Sequence, residues 1–302
     1  MNTYIINNPA DLEKFKDKMG YRCEGSLDVN CSLDFKGRLL VDGFLSIKSG
    51  ESIEAGGHIE AGGHIEAGGH IEAGESIKAG ESIKAGGHIK AGWSIKAGEF
   101  IEAGWFIEAG GHIEAGWFIE AGWYIEAGES IKSGESIEAG GHIEAGEPIK
   151  AGGHIKAGLS IKAGGHIEAG WYIEAGGHIE AGGHIEASGH IEAGGHIEAG
   201  GHIEAGEFIE AGESYGIAAG LFISCKDTLK FGFKAFAGIC TWREITGEEK
   251  TITCGKFEGG ELAYGILNET GITNKQDTVL IDGKEWSAST IKQALKKYAN
   301  EL

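Results

Sequence analysis

Between Ile47 and Ile209 an isoleucine stands at every sixth position, 28 in unbroken succession. Each is followed by Glu or Lys at the next position, and almost always then by Ala and Gly, as in Gly57-His58-Ile59-Glu60-Ala61-Gly62. The apolar–charged–small triplet alternates with the period of two that marks a strand with one buried face. Isoleucine and alanine therefore point inward and the charge outward. The Gly that follows predicts a corner turned at positive φ. The two residues before the next Ile vary among Gly-His, Glu-Ser, Trp-Phe, Trp-Tyr and Glu-Pro, a range of volumes that only a solvent-facing corner tolerates. Ser49 and Ser133 replace the Ala, and Ser188 replaces one Gly.

A three-residue strand cannot bury its isoleucine alone, so successive turns have to stack. Three such sides close a triangle of about 18 residues, each coil rising about 4.8 Å by the spacing of paired strands. The expected fold is an all-β, single-stranded triangular β-solenoid of about nine coils over 47–214 and about 9–12 in all; the pattern leaves its handedness open. Leu27, Leu33, Leu39 and Leu45 keep the six-residue step and predict a degenerate cap. Beyond Ile209 the register slips by two to Ile217, then continues at Ile223 and Leu229. Asn8 and Pro9 fit the N-cap and first position of a short helix over about residues 9–19. Gly238–Arg243 and Lys250–Cys254 read as hairpin strands around Thr246–Glu249. A strand over Thr278–Ile281, a turn at Asp282-Gly283 and a helix over about 289–301 follow. The chain divides into an N-terminal helix and cap (1–26), the solenoid (27–229) and a small C-terminal α+β module (230–302).

Charge changes the picture from a fold to a surface. Residues 44–214 hold 28 Glu and 9 Lys, a net of −19 against −20 for the whole chain. Over a rod of about 45 Å that is about one net charge per 2.4 Å, comparable with about one per 1.7 Å in duplex DNA. Lys78, Lys84, Lys90, Lys96, Lys150, Lys156 and Lys162 relieve part of the repulsion between stacked carboxylates. An acidic surface is expected at Glu102, Glu108, Glu114, Glu120, Glu126, Glu138 and Glu144.

All 13 histidines stand directly before an Ile. On an 18-residue coil His178 lies under His196, and His184 under His202. Repeat copying alone generates such columns, so no metal ligand and no cofactor are expected. Protonating every His would take the solenoid from −19 toward −6, so acid should weaken any contact driven by its charge. Trp93, Phe100, Trp105, Phe106, Trp117, Phe118, Trp123 and Tyr124 crowd into about two coils, with Trp105 and Trp123 one above the other. Exposed aromatic clusters are enriched at interfaces, so a partner or self-association is expected there.

The five cysteines form no CxxC pair, which argues for reduced thiols rather than a zinc site or disulfide framework. There is no basic n-region followed by an apolar h-region, and no apolar stretch of about 18 residues. A cytoplasmic location is expected, without membrane contact. No GxSxG, Walker A, HExxH or βαβ GxGxxG motif occurs. The absence of threonine from 44–214 argues against the flat threonine arrays of an ice-binding face.

The acidic repeat resembles pentapeptide-repeat β-helices that mimic DNA and inhibit topoisomerases, though its period is six. That resemblance implies a non-catalytic inhibitor or decoy occupying a basic, nucleic-acid-binding surface of a target protein, without itself binding nucleic acid. Small acidic proteins of this kind include phage-borne anti-restriction and anti-CRISPR proteins, so an anti-defence setting is expected. The Ile-Glu-Ala-Gly pattern over 27–229 is also similar to bactofilins, implying a self-associating scaffold. Homo-oligomers would then form through the C-terminal module or the aromatic patch. Hexapeptide-repeat acyltransferases share the step of six but place a small residue four after the aliphatic one. Here that place holds Gly63, Glu99, Trp105 or Leu159, and no loop interrupts 47–214 to build an active site. An enzyme is not expected.

Overall fold

A computed structural model describes residues 2–271 and the backbone of the strands Thr278–Ile281 and Lys284–Ser287. It is a parallel β-solenoid with three strands per coil. We call the columns of stacked strands faces one, two and three. Face one includes Ser26–Val29, Leu45–Ile47, Ile65–Ala67 and so on to Ile209–Ala211. Face two runs from Leu33–Phe35 and Ile53–Ala55 to Ile217–Ala219. Face three holds 14 strands, from Gly20–Cys23 to Ile266–Glu269. Each triplet pairs in parallel with its equivalent 18 residues on, Ile over Ile and Ala over Ala, as in Ile95↔Ile113 and Ala97↔Ala115.

The core is the stacked side chains. Every Ile from Ile53 to Ile209 is fully buried, and the alanines of the same strands are 2–7 % exposed. Parallel stacking satisfies the backbone between coils, so three-residue strands suffice. Ser133, in an alanine place, stays buried because its Oγ donates to the Trp117 carbonyl and accepts from Glu135 N–H.

The corner glycines serve a different purpose from the one their position suggests. None of them from Gly56 to Gly212 has positive φ; the described glycines that do are Gly20, Gly37, Gly50, Gly238, Gly259 and Gly265. What the repeat requires is room. A Cβ on Gly98 would lie 2.1 Å from the carbonyl oxygen of Gly80, one coil below. The corners stack backbone on backbone, and a methyl group would wedge the coils apart.

Register and ends differ from the sequence reading. Ile47 is not the first of the repeat: it pairs with Ala67, while Leu45 pairs with Ile65. A two-residue insertion therefore separates cap and repeat, with Gly50 at φ +84 in the turn. It mirrors the slip at 211–217. Both insertions lie at the corner between faces one and two. Ile47 escapes notice because it happens to stand six before Ile53.

The solenoid also exceeds the span 27–229 at both ends. Thr3–Ile6 pairs in parallel with Ser26–Val29, so the first coil starts almost at the N-terminus. The expected helix is a single 3-10 segment, Pro9–Phe15, shorter than 9–19 but with the Asn8 cap and an Asp11 capping box. Thr251–Cys254 pairs in parallel with Ile223–Cys225 and with Ile266–Glu269, so the hairpin expected around 246–249 is replaced by two more coils. Ile252 and Cys254 are buried at the Ile and Ala places, which is the physical reason: the core column goes on. Residues 238–250 form an outward excursion. The strand Thr278–Ile281 is present, in an antiparallel pair with Lys284–Ser287. The turn at 282–283 and the helix over 289–301 lie outside the described residues.

Candidate binding surface

Position in the triplet decides what each face presents. The middle residue of every strand points outward, giving 19 Glu and 8 Lys from Glu54 to Glu210. These are not evenly mixed. Residues 76–164 contain all 8 of those lysines with 12 Glu, a net of −4, whereas 168–213 contain 10 Glu and no Lys. The second segment spans about 12 Å of the axis, denser in charge than a DNA duplex. The anionic character is concentrated in the C-terminal third of the regular repeat, residues 168–213.

Most of the lysines pair up or down the stack. Lys84, Lys90 and Lys96 bond Glu102, Glu108 and Glu114 of the next coil at 2.7–2.8 Å. Lys96 thereby holds the Glu114 carboxyl below its ordinary range. Of the carboxylates expected to form the acidic surface, these three are thus neutralised, and Glu138 receives His154 Nε2 at 2.7 Å. Glu120, Glu126 and Glu144 are exposed with no cation within bonding distance among the described residues. The same holds for Glu192, Glu198 and Glu204, one on each face of the C-terminal third.

In that third, histidine takes over from lysine. The ring of His184, His190, His196 and His202 reaches back 16 residues to the carboxylate of the preceding coil on its own face. Their Nε2 atoms lie 3.1, 3.1, 3.1 and 2.6 Å from Glu168, Glu174, Glu180 and Glu186. The spacing follows from the repeat: the residue before Ile stands over its equivalent, whose Glu lies two positions on. Burial pushes the Glu168 carboxyl up, but bonds from Lys150 and His184 outweigh it and hold it below its ordinary value. Glu174, bonded by Lys156 and His190, behaves likewise.

The histidines also stack as expected. Ring centroids lie 4.1 Å apart for His178 and His196, and 4.9 Å for His184 and His202. Within the regular repeat, Ile53 to Ile209, the backbone N–H before each Ile takes no part in the main-chain bonds between coils. At two positions a side chain below accepts it: Ser52 Oγ from His70 N–H, and His178 Nδ1 from His196 N–H. Pro148, which has no N–H, fits this place for the same reason.

The predicted aromatic patch is divided among three corners. Trp105, Phe106, Trp123 and Tyr124 share the corner before face two, with Trp123 N–H on the Trp105 carbonyl at 2.6 Å. Phe100, Trp117 and Phe118 share the corner before face one. Trp93 stands alone before face three. The inner rings form ladders, His70–His88–Phe106–Tyr124–His142, at 4.5–5.1 Å. The tryptophans stay 52–68 % exposed. No single face gathers them, so they offer separate edges rather than one platform.

No helix among the described residues is long and apolar enough to cross a membrane. Buried thiols line the terminal coils, with Cys225 pushed up to about 12 and Cys254 to about 11, chiefly by burial. Comparison with known proteins finds no matching family model, curated protein or solved structure.

Proposed function

We propose that this protein is a non-catalytic acidic binding protein that occupies a basic, nucleic-acid-binding surface of a target protein as an inhibitor or decoy. The anionic segment 168–213 carries the reading: ten carboxylates and no lysine on a stiff three-sided rod. Free carboxylates on three faces favour a groove that wraps the rod over a flat partner. Steering by such a field is strong at low salt and screened at high salt. An anti-defence role carried by a phage or mobile element fits this chemistry, as does a cytoplasmic location.

The test is a charge swap at Glu192→Lys, Glu198→Lys and Glu204→Lys, three exposed positions without ion pairs. Targets captured by the native chain should be displaced by duplex DNA and lost with the triple variant. A target retained by that variant, or indifferent to DNA, contradicts mimicry.

A bactofilin-like, self-associating scaffold is the second reading. Its support is the banding along the axis: Lys78–Lys96 and Lys150–Lys162 girdle the rod between bands of Glu, a pattern complementary to a second rod shifted along its length. Filaments or lateral pairs that dissolve in salt, seen by light scattering and microscopy, would favour it.

A further inference from the structure

We infer that His184, Glu186 and His202 form a binding site for one divalent transition-metal ion of the zinc class. At the corner before face three His166, His184 and His202 follow in successive coils, and among the described corners this is the one with three consecutive histidines. Their rings stack at 3.9 and 4.9 Å. Glu186, two residues after His184, reaches both the His184 and the His202 ring. Its Oε1 lies 2.6 Å from His202 Nε2 and 3.7 Å from His184 Nε2. All three ligand atoms lie within 4.8 Å of one another. Ligands of a tetrahedral zinc ion, each about 2.0–2.2 Å from it, stand somewhat over 3 Å apart. The distances found straddle that value, so a small tilt of the two rings toward each other converges the donors.

Two further features support the assignment. The His166 ring stacks 3.9 Å beneath His184 and fixes the plane of that ring, its own buried Nδ1 turned toward the Gly183 corner. The site also borders an open groove on face three, lined by Lys150, Glu168, Glu186, Ser188 and Glu204. Ser188 is the single break in the repeat's Gly corner, and its N–H bond to Ala169 is long at 3.3 Å. Two imidazoles and one carboxylate suit zinc, copper and cobalt over magnesium or calcium, which prefer oxygen alone. On binding, each ring offers its Nε2 lone pair to the metal and keeps its single proton on Nδ1. Glu168 Oε1, 3.1 Å from His184 Nε2 and held by Lys150 at 2.7 Å, stands beside the ion. Glu174, His190 and Glu192 also converge, but with one imidazole they make the poorer site for this class.

The experiment is a titration of the intact, metal-free chain with Zn²⁺ by calorimetry and with Co²⁺ by ligand-field absorption. One equivalent should bind, with the intense spectrum of four-coordinate Co²⁺. His184→Ala and His202→Ala should each weaken binding by about 100-fold or more, and Glu186→Gln by about 10-fold or more. His58→Ala, many coils below the cluster on the same corner, and His64→Ala, at another corner, should leave it unchanged. Zn²⁺ should raise the melting temperature of the native chain but not of His184→Ala. Because Glu186 is at the surface, Glu186→Gln folds whatever becomes of the histidine variants, and circular dichroism checks this. The proposal fails if no saturable equivalent binds, if Glu186→Gln and His184→Ala bind as the native chain does, or if His58→Ala and His64→Ala weaken binding equally.

Discussion

The middle of the regular repeat, residues 76–164, and its C-terminal third, residues 168–213, share one interior and present different surfaces. In both, Ile lies over Ile and Ala over Ala, all buried. Outside, the middle holds its carboxylates with lysine and scatters tryptophan over three corners. The C-terminal third has no lysine and sets histidine against glutamate at four successive repeats. Core and surface are therefore written by different positions of the hexapeptide and vary independently. A repeat protein can redraw its charge without touching its fold, because the middle residue of each strand contributes nothing to the column inside.

The comparison breaks most visibly if the interiors differ. Ile113→Asp in the middle and Ile185→Asp in the C-terminal third should each abolish cooperative folding, because an unpaired carboxylate would sit in a dry column. Ile→Ala at either place should cost about 2–5 kcal/mol, equal within error, by chemical denaturation. A clear asymmetry would show that surface charge does reach the core.

Next in size is the corner. Gly98→Ala places a methyl 2.1 Å from the Gly80 carbonyl oxygen and should cost about 1–3 kcal/mol, whereas Gly50→Ala meets no atom within 4 Å and is strained through its φ of +84. Thermal melts of the two variants separate steric from conformational roles for glycine.

Acid sharpens the contrast more gently. Glu168 and Glu174 have carboxyls below their ordinary value of 4.5 in the folded state. A carboxyl lowered on folding contributes stability that is complete above the unfolded value and lost as pH falls through the folded one. Stability should therefore decline below about pH 4.5, by about 1 kcal/mol or less per group given their partial exposure. Glu168→Gln with Glu174→Gln should flatten that decline in denaturation midpoints taken across the range. Smallest is thiol reactivity. At pH 8 an alkylating reagent should label half-exposed Cys31 and Cys240 and spare buried Cys225 and Cys254, read by mass spectrometry.

Much of this was legible in the hexapeptide. Period two within the triplet and period six between triplets force a stacked, three-sided column, and the inward isoleucines follow. What misled was coincidence and averaging. Ile47 falls six before Ile53 by chance, hiding a shift of register that only strand pairing reveals. Thr251–Cys254 carries apolar residues at alternate places, as a hairpin strand does, and its partner in the column is 29 residues back, a distance that no periodicity announces. A charge averaged over the rod hides the gap in lysine between Lys162 and Lys226, which the sequence does carry. The 16-residue reach of histidine to glutamate needs the coil length before it can be seen.

The most direct test of the central claim compares two triple swaps of exposed, uncoupled carboxylates: Glu120, Glu126 and Glu144 to Lys in the middle, and Glu192, Glu198 and Glu204 to Lys in the C-terminal third. Retention on an immobilised polylysine surface is measured against salt, alongside melting temperature. The account predicts nearly unchanged melting for both, and a much larger loss of retention for the C-terminal triple. Equal losses, or a collapse of stability in either, would contradict it.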